Sequence, residues 1–287
     1  MTNPEIFLSW NPKVKEIEGS INEVLGIFEK SGFPVHTNSA LSKNFKNPIE
    51  FGGFLKSYPS GIIASLGGDG TLFKTIGSLL ALEKNSYPPI LPINYGRLGY
   101  LSEITAKDLK GVEEGLKKIR GKNYTHEELP VYEFRFEGHK GYFVNDLVVS
   151  TTHSIGVVNV VAKIGGYEPI NISGDGVIVS TLLGSTAYNL SVEGPILLND
   201  AITITPISPF SHINPLVLDP KEKVELNLTK AEKNISLSFD GMLIESMENV
   251  KGIIIQRTEK KIKIIRFTKV DLIQRLKRLY RFKAEIV

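Results

Sequence analysis

Cysteine is absent from this 287-residue chain, so no disulfide, thiolate nucleophile or cysteine metal site can be built, which fits a reducing, cytoplasmic setting. Long apolar runs are absent as well. The segment Gly61 to Leu66 stops at Gly67 and Gly68, far short of the roughly 18 uninterrupted apolar residues of a membrane span, so a soluble protein is expected. An excess of one charge is also missing: 34 Lys and Arg against 31 Asp and Glu leave +3, too little to point to nucleic acid. Met1 to Glu5 carries no basic run, so neither a signal peptide nor a transit peptide is expected. His36, His126, His139, His153 and His212 form no metal-spaced pair, and no zinc site is expected. No Gly-x-Ser-x-Gly elbow supports a hydrolase triad, and neither a Walker loop nor Gly-x-Gly-x-x-Gly occurs.

What is present is 41% apolar residues, enough to fill the core of one large domain or two ordinary ones. The first hundred residues alternate short buried runs with amphipathic periods. Ile6 to Trp10 reads as a strand, and Val14, Ile17, Ile21, Val24 and Phe28 then recur at three and four residues, one face of a helix ending near Gly32. Gly61 to Leu66 is a second strand, followed by a glycine turn and a helix with Leu72, Ile76, Leu79 and Leu80 inward. Ile90 to Ile93 is a third. This repetition predicts a parallel sheet with helices on its faces. A further helix carries Leu109, Val112, Leu116 and Ile119 on one side.

After Pro130 the pattern becomes all-β, with short runs split by turn residues at Val131–Phe136, Tyr142–Ser150, Val157–Ile164, Gly176–Ser180, Ile202–Ile207, Val224–Leu228, Ile235–Phe239, Gly252–Gln256 and Ile262–Phe267. The final segment, Asp271 to Phe282, reverts to a helix with Leu272, Leu276, Leu279 and Tyr280 inward and Arg275, Lys277, Arg278 and Arg281 outward. Residues 251–287 hold twelve Lys and Arg against three Asp and Glu, a balance of +9 that leaves −6 for the rest. A solvated face or attraction of a polyanionic nucleotide both explain it. The expected build is an α/β domain, then a β domain, with the last helix docking back on the first; a membrane-surface helix shares the pattern.

Five short motifs could carry chemistry. Gly67-Gly68-Asp69-Gly70-Thr71 lies between a strand and a helix, a geometry that offers unpaired N–H groups and the positive end of the helix dipole to an anion. Asp69 is out of place in a pure phosphate cradle unless it accepts a hydroxyl proton or holds Mg²⁺; a plain helix cap would use the same residues. Asn94-Tyr95-Gly96-Arg97-Leu98-Gly99-Tyr100 follows the next parallel strand, so the two loops should flank one crevice. In the β region stand Asn145-Asp146, then Gly174-Asp175-Gly176 running on to Thr181, then Gly184-Ser185-Thr186-Ala187-Tyr188. Each sets short polar groups beside apolar strands, as ribose and base recognition requires, and each is also an ordinary turn or cap pattern. Asp240-Gly241 reads equally as a hairpin turn.

These motifs, in this order, resemble the NAD kinase family. The resemblance implies an α/β-plus-all-β fold: a Rossmann-like domain with a parallel sheet over residues 1–104 and 268–287, and a β-sandwich-like, NAD-binding domain over 105–267. It implies transfer of the γ-phosphoryl of ATP, or of polyphosphate, to the 2′-hydroxyl of the adenosine ribose of NAD, with Mg²⁺ or another divalent cation accompanying ATP. Asp69 would meet that hydroxyl as base or acceptor, with Gly68 and Gly70 amides holding phosphate. Asn145, Asp146, Asp175, Thr186, Ala187 and Tyr188 would form the NAD pocket. The expected partners are small nucleotides rather than nucleic acid or membrane, in a cytoplasmic homodimer or homotetramer.

The sequence also departs from that family. Asp146 stands where Glu is usual, Leu182-Leu183 where a Pro and a small hydroxyl residue are usual, and Ser173 and Asn214 where arginines are common, which bears on discrimination between NAD and NADH. A lipid kinase of the diacylglycerol-kinase-like group would share only the Asp69 motif, and a non-catalytic nucleotide-binding regulator should have lost it.

Overall fold

The computed structural model describes residues 3–11, 15–38, 49–96, 99–151, 156–229, 235–244 and 250–286. Val14, Arg97, Leu98 and His153 lie outside these described residues. The chain divides into two compact units, residues 1–129 with 261–287 and residues 130–260.

Unit 1 starts with β1 (Ile6–Trp10), α1 (Lys15–Lys30), β2 (Val35–Thr37), α2 (Phe51–Ser57), β3 (Ile62–Gly67), α3 (Asp69–Leu80) and β4 (Ile90–Asn94). Then follow β5 (Ile104–Thr105), α4 (Leu109–Arg120) and the start of β6 (Thr125–Phe136). Its strands run parallel in the order β2, β1, β3, β4, with β5 beside β4. Strand alternation explains the helices on both faces. Ile6, Leu8, Ile62, Ala64 and Leu66 share a core with Ile17, Val24 and Phe28 of α1 and Val112, Leu116 and Ile119 of α4. The intervening Phe7 stacks obliquely on Phe54 of α2, while Ser9 and Ser65 hydrogen-bond Thr75 of α3. The α4 face explains why the unit boundary falls at 129/130 rather than at the expected 104/105: three of its side chains, each contributing about 2 kcal/mol when buried, belong to this core.

Unit 2 holds the remainder of β6, then β7 (His139–Phe143), β8 (Asp146–Thr151), β9 (Val158–Ile164), β10 (Ile170–Gly174), β11 (Gly176–Thr181), a 3-10 turn at Gly184–Thr186 and the short α5 (Tyr188–Ser191). It continues through β12 (Ile202–Ile207), β13 (Leu216–Leu218), β14 (Val224–Leu228), β15 (Ile235–Phe239), β16 (Met242–Ile244) and β17 (Gly252–Arg266), whose last residues return to unit 1 and pair in parallel with β4. One antiparallel layer has β10, β9, β14 and β17, with β6 joined to β17 and β7 to β6. The other has the order β13, β12, β11, β8, β15, β16. Val160, Ala162, Val224 and Ile253 of the first layer and Leu147, Val149, Val177, Ile204 and Leu237 of the second fill one core between them, a sandwich.

Two expectations change in detail. Tyr142–Ser150 is two strands, because Val144 and Asn145 give their N–H groups to Asp240 instead of to a ladder. The last two runs are one 15-residue strand, β17. The final helix, α6 (Leu272–Ile286), belongs to unit 1, with Leu276 and Leu279 buried. Arg275 is inward rather than outward, 5% exposed, because two arginines share Glu127, and Tyr280, expected inward, is 51% exposed.

Candidate active site

In unit 1 the chain leaves β3 at Gly67 and enters α3 at Asp69. Gly67 has φ +154°, and a Cβ there would sit 2.3 Å from Thr71 Oγ1, so the tight strand-to-helix turn demands glycine. Gly68 and Gly70 differ: a Cβ on either would meet nothing within 4 Å, and Gly70 is exposed. Packing does not require glycine at these two positions, and the bare backbone leaves room for a group approaching the helix start. Gly68 caps α3 without a side-chain hydrogen bond; Thr71 N already donates to Gly68 O at 2.9 Å, and the N–H groups ahead of it have no acceptor one turn back in the helix. A phosphate suits such a helix end.

The second glycine loop meets the first. β3 and β4 pair in register, Gly67 opposite Asn94, so both strand exits lie at one edge. Asn94 folds its side chain over the turn, Oδ1 accepting from Gly96 N at 2.9 Å and Nδ2 donating to Gly96 O at 3.0 Å. Gly99, at φ +56°, has no room for a Cβ against that amide. The loop then delivers two main-chain N–H groups to Asp69: Tyr100 N to Oδ2 at 3.0 Å and Leu101 N to Oδ1 at 3.1 Å. The half-buried carboxylate is thereby fixed in orientation while retaining lone pairs on both oxygens.

In unit 2 Asn145 and Asp146 are buried at the start of β8, Asn145 Nδ2 donating to Asp146 Oδ2 at 3.2 Å. Burial pushes Asp146 up to about 6. The 3-10 turn packs on this pair so closely that a Cβ at Gly184 would lie 2.1 Å from Asn145 O. Thr181 fastens it from below, donating Oγ1 to Val144 O at 2.7 Å and accepting from Leu183 and Gly184 N–H. Thr186 Oγ1 donates to Leu183 O, and Thr186 and Ala187 are half-buried. Tyr188 is 45% exposed, an aromatic face open to a ligand ring. Buried Asn189 behind it accepts from Thr205 Oγ1 at 2.6 Å and donates to Pro195 O at 3.0 Å, which holds α5 in place.

Asp175 is not brought to this group. β8 and β11 pair with Asp146 opposite Ser180 and Ser150 opposite Gly176, so Asp175 lies beyond the far end of that pairing, about 16 Å along at 3.3 Å per residue. It is exposed between Gly174 and Gly176, where a Cβ would strike Ile207 O and Val149 O respectively.

Asp240 is the residue that sequence reasoning left open between a further acid and a plain turn. It does occupy the two-residue hairpin turn between β15 and β16, at φ +48° with Gly241 at +74°. Its carboxylate also accepts N–H groups from Val144 at 2.9 Å, Asn145 at 2.7 Å and Asp146 at 3.3 Å. Burial raises it to about 7, against the lowering effect of those hydrogen bonds and with neighbouring Asp146 adding a little. An acid before glycine in a hairpin was the available signal; its partners, some 95 residues earlier, were not readable.

Comparison with known proteins decides the family. A family profile described as the ATP-NAD kinase C-terminal domain matches residues 144–267. An NAD kinase of Treponema denticola is 36% identical over 208 residues, covering 70% of this chain and 71% of that one. The chain belongs to the NAD kinase family. The NAD kinase of Petrotoga mobilis aligns over 91% of both chains at 27% identity. Two crystal structures share the fold: yeast NADH kinase complexed with NADH, with TM-score 0.84, 21% identity and 98% of this chain and 89% of that chain covered, and an Archaeoglobus fulgidus NAD kinase in complex with ATP, with TM-score 0.71, 23% identity and 96% and 97% covered.

Proposed function

We propose that this chain is a working NAD kinase that transfers the γ-phosphoryl of ATP to the 2′-hydroxyl of the adenosine ribose of NAD, giving NADP. The observation that carries the reading is the Asp69 carboxylate, oriented by two main-chain N–H groups beside an open helix start. Phosphoryl transfer asks a protein mainly to position reactants and to offset developing charge. Asp69 accepts the hydrogen of the attacking hydroxyl, the amides at the start of α3 hold phosphate, and Asn145 with Asp146 takes the ribose hydroxyls. Tyr188 stacks on a ring of the dinucleotide, with Thr186 and Ala187 lining its approach.

Mg²⁺ accompanying ATP would find one carboxylate with free lone pairs, Asp69, and would neutralise charge on the transferred group. A single protein carboxylate is enough for Mg²⁺, which keeps waters and binds substrate phosphates; among the described residues no cluster of three His, Asp or Glu exists to hold it otherwise. No described helix is long and apolar enough to cross a membrane. A cytoplasmic location, where both nucleotides are supplied, belongs to the same proposal. So does self-association through unit 2, whose layer ends in edge strands carrying exposed Val217 and Leu243. The test is NADP formation by the purified chain from NAD with Mg²⁺ and ATP, or polyphosphate in place of ATP. NADP from either donor is expected, its loss on chelation supports the cation, and no NADP from either donor overturns the reading.

A further inference from the structure

We infer that Arg275 of α6, acting with Glu127 and Arg266, is a positioning residue for Asp69; this rests on the catalytic role proposed for Asp69 above. The observation is a continuous set of contacts within unit 1. Asp69 is held by the N–H groups of Tyr100 and Leu101, and each of those residues is gripped a second time by an arginine. Arg266 Nη1 donates to the Leu101 carbonyl, and the Arg275 guanidinium lies 5.9 Å from the centre of the Tyr100 ring. Both arginines converge on one carboxylate. Arg275 donates Nη1 and Nη2 to Glu127 at 2.8 Å each, and Arg266 reaches Glu127 Oε2 through Nε at 2.7 Å and also through Nη2.

The chemistry of the cluster favours geometry over stability. Arg266 is 1% exposed and Arg275 5%, so both surrender hydration, and buried ion pairs roughly offset that loss without adding much stability. Planar guanidinium forks fix direction as well as distance. Glu103 ties the same region again, accepting from Phe267 N at 2.6 Å and from Thr268 Oγ1. The C-terminal segment is thus bonded to the peptide units that aim Asp69, and α6, whose Lys277, Arg278 and Arg281 are exposed, places one buried arginine there. Loosening the clamp frees the Tyr100–Leu101 loop and lets the carboxylate turn away from the attacking hydroxyl.

Arg275→Met leaves Glu127 and Arg266 as a one-to-one pair, so the fold should survive; Arg275→Lys, which keeps the charge and loses the fork, carries the same measurements if it does not. In the full-length chain, amide exchange at Tyr100 and Leu101 should accelerate about tenfold while amides of β1 and β8 stay unchanged. Turnover should fall about tenfold with the KM for NAD within about twofold, since misplacement and not affinity is affected. In an Asp69→Asn background the Arg275 substitution should have no further effect. Unchanged exchange at Tyr100 and Leu101, or an equal loss of turnover in that background, overturns the inference. A wild-type chain that makes no NADP overturns the proposed function instead, and the exchange measurement still decides the positioning role.

Discussion

Both units use a carboxylate to gather main-chain N–H groups from a loop at a strand end, and they use it in opposite ways. In unit 1 Asp69 takes two N–H groups from Tyr100 and Leu101 and stays half-exposed at the start of α3. In unit 2 Asp240 takes three from Val144, Asn145 and Asp146 and is 4% exposed. The same device therefore serves two ends. A half-exposed carboxylate held from behind keeps its free lone pairs open to solvent, whereas a buried one fixes the loop whose N–H groups it accepts. Asn145 and Asp146 are displayed by Asp240; Asp69 is itself displayed.

The largest effect should come from the exposed member. Asp69→Asn keeps an acceptor for one N–H group but not a proton acceptor, so turnover should fall about 10²-fold or more with NAD affinity nearly unchanged. Near wild-type turnover would break the contrast. Asp240→Ala should act on stability instead, lowering it by about 2–3 kcal/mol because several buried N–H groups lose their acceptor. A chemical-denaturation midpoint matching wild type would remove Asp240 from the scaffold. Tyr188→Ala should weaken NAD by about 1–2 kcal/mol through the lost ring contact, read by calorimetry, with the melting temperature close to wild type since the ring is 45% exposed.

The smallest effect is on pH dependence. Folding raises Asp146 to about 6 and Asp240 to about 7, so the native state holds these protons more tightly than the unfolded chain. Their contribution to stability is complete below the ordinary Asp range and is lost as pH rises through 6 to 7. Glu127 has the opposite sign. Burial raises it, but Arg275 and Arg266 outweigh burial and hold it below the ordinary Glu range, so its contribution is lost as pH falls. Asp146→Asn, which cannot titrate, should gain about 1 kcal/mol on wild type between about pH 5 and 8. Melting curves that run parallel over that interval would contradict the burial of Asp146.

Much of this was legible in the sequence where local pattern and packing agree. The strand, glycine turn and helix around Asp69 were readable because Gly67 sits where only glycine fits and Leu72, Ile76 and Leu79 keep one helical face. The Asn145-Asp146 loop and the Gly184 turn were readable as motifs, and they do pack together. What was not readable depended on partners distant in sequence. Arg275 occupies the polar side of a period that predicts exposure, and Glu127, 148 residues earlier, holds it inward. Asp175 belongs to the right motif, but strand register carries it away from Asn145. The domain boundary moved because α4 covers the parallel sheet, a choice of neighbour that amphipathicity alone does not specify.

The most direct test is to find where the phosphate goes. The purified chain is incubated with NAD, Mg²⁺ and ATP, and the product is examined by phosphorus NMR. The structure and family predict a new phosphomonoester on the 2′-oxygen of the adenosine ribose, formed by wild type and scarcely by Asp69→Asn. Phosphate on another hydroxyl, none on NAD from any donor, or equal product from Asp69→Asn would contradict it.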